Sequence, residues 1–120
     1  MSHAHPQVRV SPIFSVTDLP RALEHYTALG CTVSTHSDTY GFAARGGVEL
    51  HLVVPEAGDP RCGPSSTYLL VPDVDVLAAE WASVAQTGAP EDKPWGLREA
   101  WHVDPDGNLL RFGSRLPSPR

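Results

Sequence analysis

The chain has 120 residues, 14 acidic and 9 basic side chains and a net formal charge of −5, a length that makes one domain; with 41% apolar residues and ten glycines it has the composition of a globular protein. No Lys/Arg run is present, which sets aside nucleic acid and anionic membranes as partners and favours a neutral or cationic ligand. Apolar runs such as Tyr68 to Val71 are too short for a membrane span or a signal-peptide core, so a cytoplasmic protein is expected.

In chain order, Met1 to Pro6 reads as a loose end. Val16-Thr17-Asp18-Leu19 is a strand running into a helix, with Asp18 as N-cap, the stripe Leu19, Ala22, Leu23 and Tyr26 on one face, and Gly30 as the stop. Cys31 follows; with Cys62 it forms neither a C-x-x-C pair nor a zinc spacing, and both read as free thiols. Strands are predicted over Thr32 to Ser37, Tyr40 to Arg45 and Val48 to Pro55, with Gly46-Gly47 suited to the positive φ of a tight hairpin. Residues Glu56 to Pro64 read as a linker.

The pattern then repeats. Val71-Pro72-Asp73-Val74 leads to Trp81 as Val16 to Leu19 leads to Tyr26, at a constant spacing of 55 residues (71 − 16, 81 − 26). Asp73 is the second N-cap, Val74, Leu77, Ala78 and Trp81 the second stripe, and Gly88 the predicted helix stop. A short strand near Ala89 comes next, then Leu97 to Asp104, the Pro105-Asp106-Gly107-Asn108 turn and a strand over Leu109 to Gly113; Leu116 to Arg120 reads as a second loose end. The chain is therefore an α+β protein of two βαβββ modules in curled mixed sheets, 1–120 forming one domain of two pseudo-repeats (about 8–55 and 66–113). Each sheet keeps one face bare of helix. Burial is worth roughly 25 cal/mol per Å² of apolar surface, so a homodimer is the natural completion of the hollow.

This duplicated pattern, with Asp-Pro-Asp-Gly-Asn at 104–108, resembles the vicinal-oxygen-chelate superfamily of glyoxalases, extradiol dioxygenases, fosfomycin-resistance enzymes and bleomycin-resistance proteins, from Val8 to Gly113. Pro12 before Asp18, Ala79-Glu80-Trp81 and Lys93-Pro94-Trp95-Gly96 resemble the bleomycin-resistance proteins most. The superfamily's enzymes act through a divalent metal held by His or Glu; at the matching positions this chain has Ser11, Ser66 and Arg111. Serine hydroxyls are poor ligands and a guanidinium does not deprotonate to coordinate a cation. The resemblance therefore implies a metal-free, cofactor-free and non-catalytic homodimer that sequesters an antibiotic of the bleomycin type in grooves built from both subunits, with exchange of the N-terminal strand.

Trp95, between Pro94 and Gly96, is read as a ring that stacks on a planar ligand, or as a loop aromatic plugging the core edge. Tyr68 takes the place of a stacking Trp in the family and Tyr40 that of a groove phenylalanine; ligand contact and sheet-face packing stay open for both. Pro12 matches a family proline in the exchanged strand, where it is a dimer hinge or a plain edge-strand proline. Trp81 continues the helical stripe and belongs to the core. In Val48-Glu49-Leu50-His51-Leu52, alternation puts Glu49 and His51 opposite the two leucines. With Arg111 they line the hollow, either holding polar parts of a ligand or forming a His/Glu/Arg network in which Glu49 offsets Arg111.

No nucleophile elbow, phosphate-cradling loop or His-Glu-x-x-His helix occurs. His3 and His5 fall on the tail, and His36 and His102 read as strand polar residues without a spaced partner. The competing functions are an enzyme of the same fold using His51 with Glu49, with or without a metal, and a module that binds another flat antibiotic or a metabolite.

Overall fold

The computed structural model describes residues 7–57, 59, 63–84 and 86–117. Its elements are β1 (Ile13–Ser15), α1 (Leu19–Ala28), β2 (Thr32–Ser37), β3 (Tyr40–Arg45), β4 (Val48–Val53), β5 (Ser66–Leu70), α2 (Val74–Trp81), β6 (Glu91–Asp92), β7 (Leu97–Val103) and β8 (Leu109–Arg115). They form two four-stranded mixed sheets of matching topology, β1-β4-β3-β2 and β5-β8-β7-β6. In each, the strand before the helix pairs parallel to the last strand, Ile13 opposite His51 and Tyr68 opposite Arg111. The expected βαβββ duplication is thus the fold. The predicted α+β class with two curled mixed sheets holds.

The helices start where the sequence places them. Asp18 accepts the Arg21 N–H at 3.0 Å, and Asp73 accepts those of Asp75 and Val76 at 3.0 and 3.3 Å, which satisfies amides that lack an intrahelical partner. Ser114 on β8 takes the Val74 N–H at 2.7 Å, tying the start of α2 to its sheet. Gly30, at φ +89°, ends α1 in the left-handed region as expected.

Gly88 does not end α2, which stops at Trp81 with Ala82 as its cap. Its glycine has another cause: the Gly88 N–H bonds the Trp101 carbonyl at 2.8 Å, and a Cβ there would run into the Trp101 indole. The weak strand near Ala89 is the two-residue β6, preceded by an isolated bridge between Thr87 and His102. The last strand runs on to Arg115, and Leu116 donates to the Gly96 carbonyl at 2.9 Å, so the tail is tied down at its start, contrary to the expected loose end at Leu116. Met1 to Pro6, with His3 and His5, and Cys62 lie outside the described residues.

Leu19, Ala22 and Tyr26 of α1 and Val74, Ala78 and Trp81 of α2 are buried, the predicted stripes. They join Phe14, Leu50, Leu52, Ala100, Leu110 and Phe112 in one core cluster drawn from both halves. Polar bonds cross between the halves as well. Tyr26 donates to Asp104 at 2.8 Å, Asn108 Nδ2 to the Ser15 carbonyl at 2.9 Å, and Trp81 Nε1 to the Leu29 carbonyl at 3.0 Å. Thr17 and Arg21 both donate to Asp106 Oδ1, and Arg45 forks onto Glu80. The core lies on the helix side of each sheet. The other face of each sheet stays outside it.

Candidate functional site

On β7, alternation sends Arg98, Ala100 and His102 to the helix side and Leu97, Glu99, Trp101 and Val103 to the open face of the second sheet. Register then sets their neighbours: Glu99 stands opposite Gly113, Trp101 opposite Arg111, and Arg111 opposite Tyr68. Gly113 forms the floor. A Cβ there would run into the Tyr68 hydroxyl and come within 2.8 Å of the Arg98 carbonyl, so only a glycine lets Tyr68 and Glu99 meet above it.

They do meet. Glu99 Oε2 accepts the Tyr68 hydroxyl at 3.0 Å and the Trp95 indole N–H at 2.9 Å. One carboxylate oxygen thus orients two aromatic rings from different elements, β5 and the β6–β7 loop. Glu99 itself is only 6% exposed, whereas Trp95 is 61% and Tyr68 39% exposed. Partial burial, and then the hydrogen bond to Glu99, push the Tyr68 hydroxyl up to about 12, so it stays a proton donor at neutral pH. Gly96, at φ +87°, makes the turn that carries Trp95. Trp101 is 42% exposed on the same face, and the side chains of Arg111 and Arg115 make no hydrogen bond or ion pair with any described residue.

The first sheet carries a second cluster. Leu50 and Leu52 are buried against the core, and the alternate residues Glu49 and His51 face away from it, as expected. His51 Nδ1 lies 2.7 Å from the Tyr40 hydroxyl, with Glu49 at 3.8 Å from Nε2. The Phe42 ring packs edge-on against His51 at 5.0 Å. Pro12 leads into this region, its carbonyl accepting the His51 N–H at 2.9 Å.

Of the residues singled out from sequence, the structure therefore brings Tyr68 to Trp95, and Tyr40 to His51 and Glu49. No hydrogen bond, ion pair or ring contact between described residues joins the two clusters, and Glu49 does not pair with Arg111 as the sequence reading allowed. Pro12, Glu49 and Tyr68 also border a groove of about 730 Å³ at the seam between the halves, with Val10, Leu70 and Val76 on its walls.

Trp81 is 3% exposed and packs on Phe112 at 5.0 Å, a core residue as read. Cys31 is a free thiol, half-buried, and burial pushes its pKa up. His36 is exposed on β2. His102 does have a partner: its Nε2 lies 2.8 Å from that of His25 on α1. Sequence reasoning missed this pair because the partner is 77 residues away, and it missed Glu99 and Phe42. Glu99 carried a usable signal, since a carboxylate alternating with Leu97, Trp101 and Val103 stands out on an otherwise apolar face.

The two strand registers make His51 and Arg111 equivalent positions in the two halves. With Ser11 and Ser66 they give two hydroxyls, an imidazole and a guanidinium, a set that does not fit a divalent cation. Among the described residues no group of three or more His, Cys, Asp or Glu side chains converges in a metal-binding arrangement. No helix there is long and apolar enough to cross a membrane.

Residues 7–112 match the model of the Glyoxalase/Bleomycin resistance protein/Dioxygenase superfamily, and the chain belongs to that family. No curated protein matches the sequence. Among solved structures, a bleomycin resistance determinant encoded on transposon Tn5 superposes with a TM-score of 0.78 at 24% identity, over 91% of this chain and 98% of that one. The bleomycin-binding protein of Streptomyces verticillus, complexed with copper(II)-bleomycin, gives 0.73 at 22%, over 95% and 99%. A lactoylglutathione lyase from Agrobacterium tumefaciens gives 0.70 at 17%, over 92% and 95%. The fold is therefore shared by binding proteins and enzymes, and function has to be argued from the site.

Proposed function

We infer that the chain is a binding protein that sequesters a planar, cationic antibiotic of the bleomycin family without transforming it. The observation that carries this reading is Trp95: an indole 61% exposed, yet locked by its N–H onto a buried carboxylate, is a stacking platform whose ring position is set before any ligand arrives. Tyr68 extends the platform on the second sheet. Tyr40, His51 and Glu49, together with Phe42, form the facing surface on the first, Arg111 supplies polar contact, and Pro12 the hinge. Glu49 and Tyr68 border one groove, yet no bond or ring contact between described residues joins the two clusters, which supports a homodimer whose grooves each take one cluster from each copy. Val8, Val10, Ile13 and Leu70, each more than half exposed, supply apolar surface for that contact. Chain 1–120 acts as one domain, its two pseudo-repeats sharing a core. Cytoplasmic sequestration needs no cofactor.

Titration with metal-free and with copper-loaded bleomycin tests this. Tryptophan fluorescence is expected to quench with an endpoint near one ligand per chain, and Trp95→Ala to abolish most of the quench while leaving the thermal midpoint within a few degrees, the usual outcome for an exposed position. No binding at high micromolar drug removes the assignment. Sedimentation reads the dimer directly.

A second reading, an enzyme of the same fold, is favoured by one contact: the 2.7 Å Tyr40–His51 bond beside Glu49 has the form of an oriented acid–base pair. Product formation by the wild-type chain that is lost in His51→Gln would install that reading instead.

A further inference from the structure

The geometry points to Glu99 as the residue that selects the ligand, by accepting a hydrogen bond from an N–H at the edge of a planar ring lying on Trp95. This rests on the reading of the Trp95 face as a ligand site, and adds what the site asks of its guest.

Three observations carry it. Both protein donors, Tyr68 and Trp95, fall on Oε2, which leaves Oε1 with no hydrogen-bond partner among the described residues. A carboxylate oxygen left alone in a residue only 6% exposed is costly, because burial removes the water that would otherwise pair with it. Oε1 is nonetheless not sealed off, since the one fully enclosed and unpaired side-chain oxygen among the described residues is Asp106 Oδ2. It is an acceptor that keeps some exposure on a carboxylate held between the Tyr68 hydroxyl and the Trp95 indole N–H.

The neighbours decide which kind of donor it takes. Arg111 and Arg115 stand on β8 one pleat to either side of Gly113, the residue opposite Glu99, and diagonal neighbours at that offset sit roughly 7–8 Å apart. Neither guanidinium bonds Glu99, so two cations on the same face leave its free oxygen unsatisfied. The site therefore reads the position of an N–H, neutral or charged, rather than net positive charge. A heteroaromatic amine, amide or amidine fits; a cation with every nitrogen substituted does not.

Three planar probes of nearly equal shape separate these properties: 2-aminobenzothiazole, its 2-dimethylamino analogue, and 3-methylbenzothiazolium, a cation without N–H. Binding to the full chain is read from the indole N–H resonance of Trp95, assigned by its absence in Trp95→Ala. The amino probe is expected to shift that resonance and to bind roughly tenfold more tightly than either other probe, the difference one hydrogen bond to a charged acceptor makes. In Glu99→Gln the amide oxygen still accepts from Tyr68 and Trp95, but an NH2 replaces Oε1, so the preference is expected to vanish or invert with the Trp95 resonance still in place. Equal affinities for the three probes on the wild-type chain, or tightest binding of the methylbenzothiazolium, overturn the proposal without reference to any variant. Bleomycin is run in parallel: drug binding without discrimination between the probes sinks the role of Glu99 alone, and discrimination without drug binding sinks only the choice of antibiotic.

Discussion

The absence of one side chain decides the aromatic face. Gly113 takes an ordinary strand conformation, so its glycine is not there for backbone freedom; it is there because Tyr68, Glu99 and the Arg98 carbonyl occupy the space a Cβ needs. In Gly113→Ala the backbone carbonyl has nowhere to go and the Tyr68 hydroxyl must leave Glu99. The variant is expected to lose about 1–3 kcal/mol, the usual cost of overpacking. Its Tyr68 should titrate closer to an ordinary tyrosine than the value of about 12 set by burial and Glu99. Phenolate absorbance against pH reads that change, and Tyr68→Phe in the same background should return part of the stability. A glycine variant with unchanged Tyr68 titration would show that the floor is not what joins the two residues.

At the scale of elements, α1 is fastened to β7 by two histidines, and their protons make the joint pH-dependent. Thr87 Oγ1 lies 3.0 Å from the Trp81 carbonyl and 2.7 Å from His102 Nδ1. A hydroxyl has one proton; given to the carbonyl, it leaves the oxygen to accept from His102 Nδ1–H, and His102 Nε2 then accepts from His25 Nε2–H. Burial, and then the neighbouring His25, hold His102 down at about 4; burial also lowers His25, with Asp104 and Asp106 pulling the other way. Both rings are therefore neutral in the fold, while an unfolded chain takes up protons near 6.5. The contribution of the joint is complete above pH ~6.5 and is lost as pH falls from there, for His102 down to about 4 and about 3 kcal/mol in all, with His25 acting in the same direction. Urea midpoints measured across that window should fall with acid. His25→Gln, which keeps an N–H donor and removes one titrating ring, should flatten the fall; an unchanged profile would put the acid sensitivity elsewhere.

For the whole molecule, the contact that matters most is Asp104. Its Oδ2 accepts from Tyr26 of the first half and from Asn108 Nδ2, and its Oδ1 from the N–H groups of Asp106 and Asn108, at 2.8–2.9 Å. At 3% exposure all four donors depend on it. Asp104→Asn turns one oxygen into a donor that faces two donors, and is expected to cost about 3 kcal/mol, lowering the urea midpoint of the entire chain with its slope unchanged. If only one half loosened, tryptophan and far-ultraviolet transitions would separate.

Periodicity and caps belong to the sequence by itself. The duplication, both helix starts, the strands Thr32–Ser37 and Tyr40–Arg45, the core role of Trp81 and the outward direction of Glu49 and His51 follow from local chemistry, because a helical stripe and a strand alternation need no knowledge of the partner. Family membership was legible for the same reason: Asp104 to Asn108 and Pro94-Trp95-Gly96 are short, local patterns. The tertiary structure alone decided what lies across the sheet or across the seam. That Glu99 collects Tyr68 and Trp95, that Gly88 and Gly113 are glycines to make room for Trp101 and Tyr68, and that His102 has a partner on α1 are consequences of strand register and module docking. These bring together residues tens of positions apart, where spacing along the chain carries no trace of spacing in the fold.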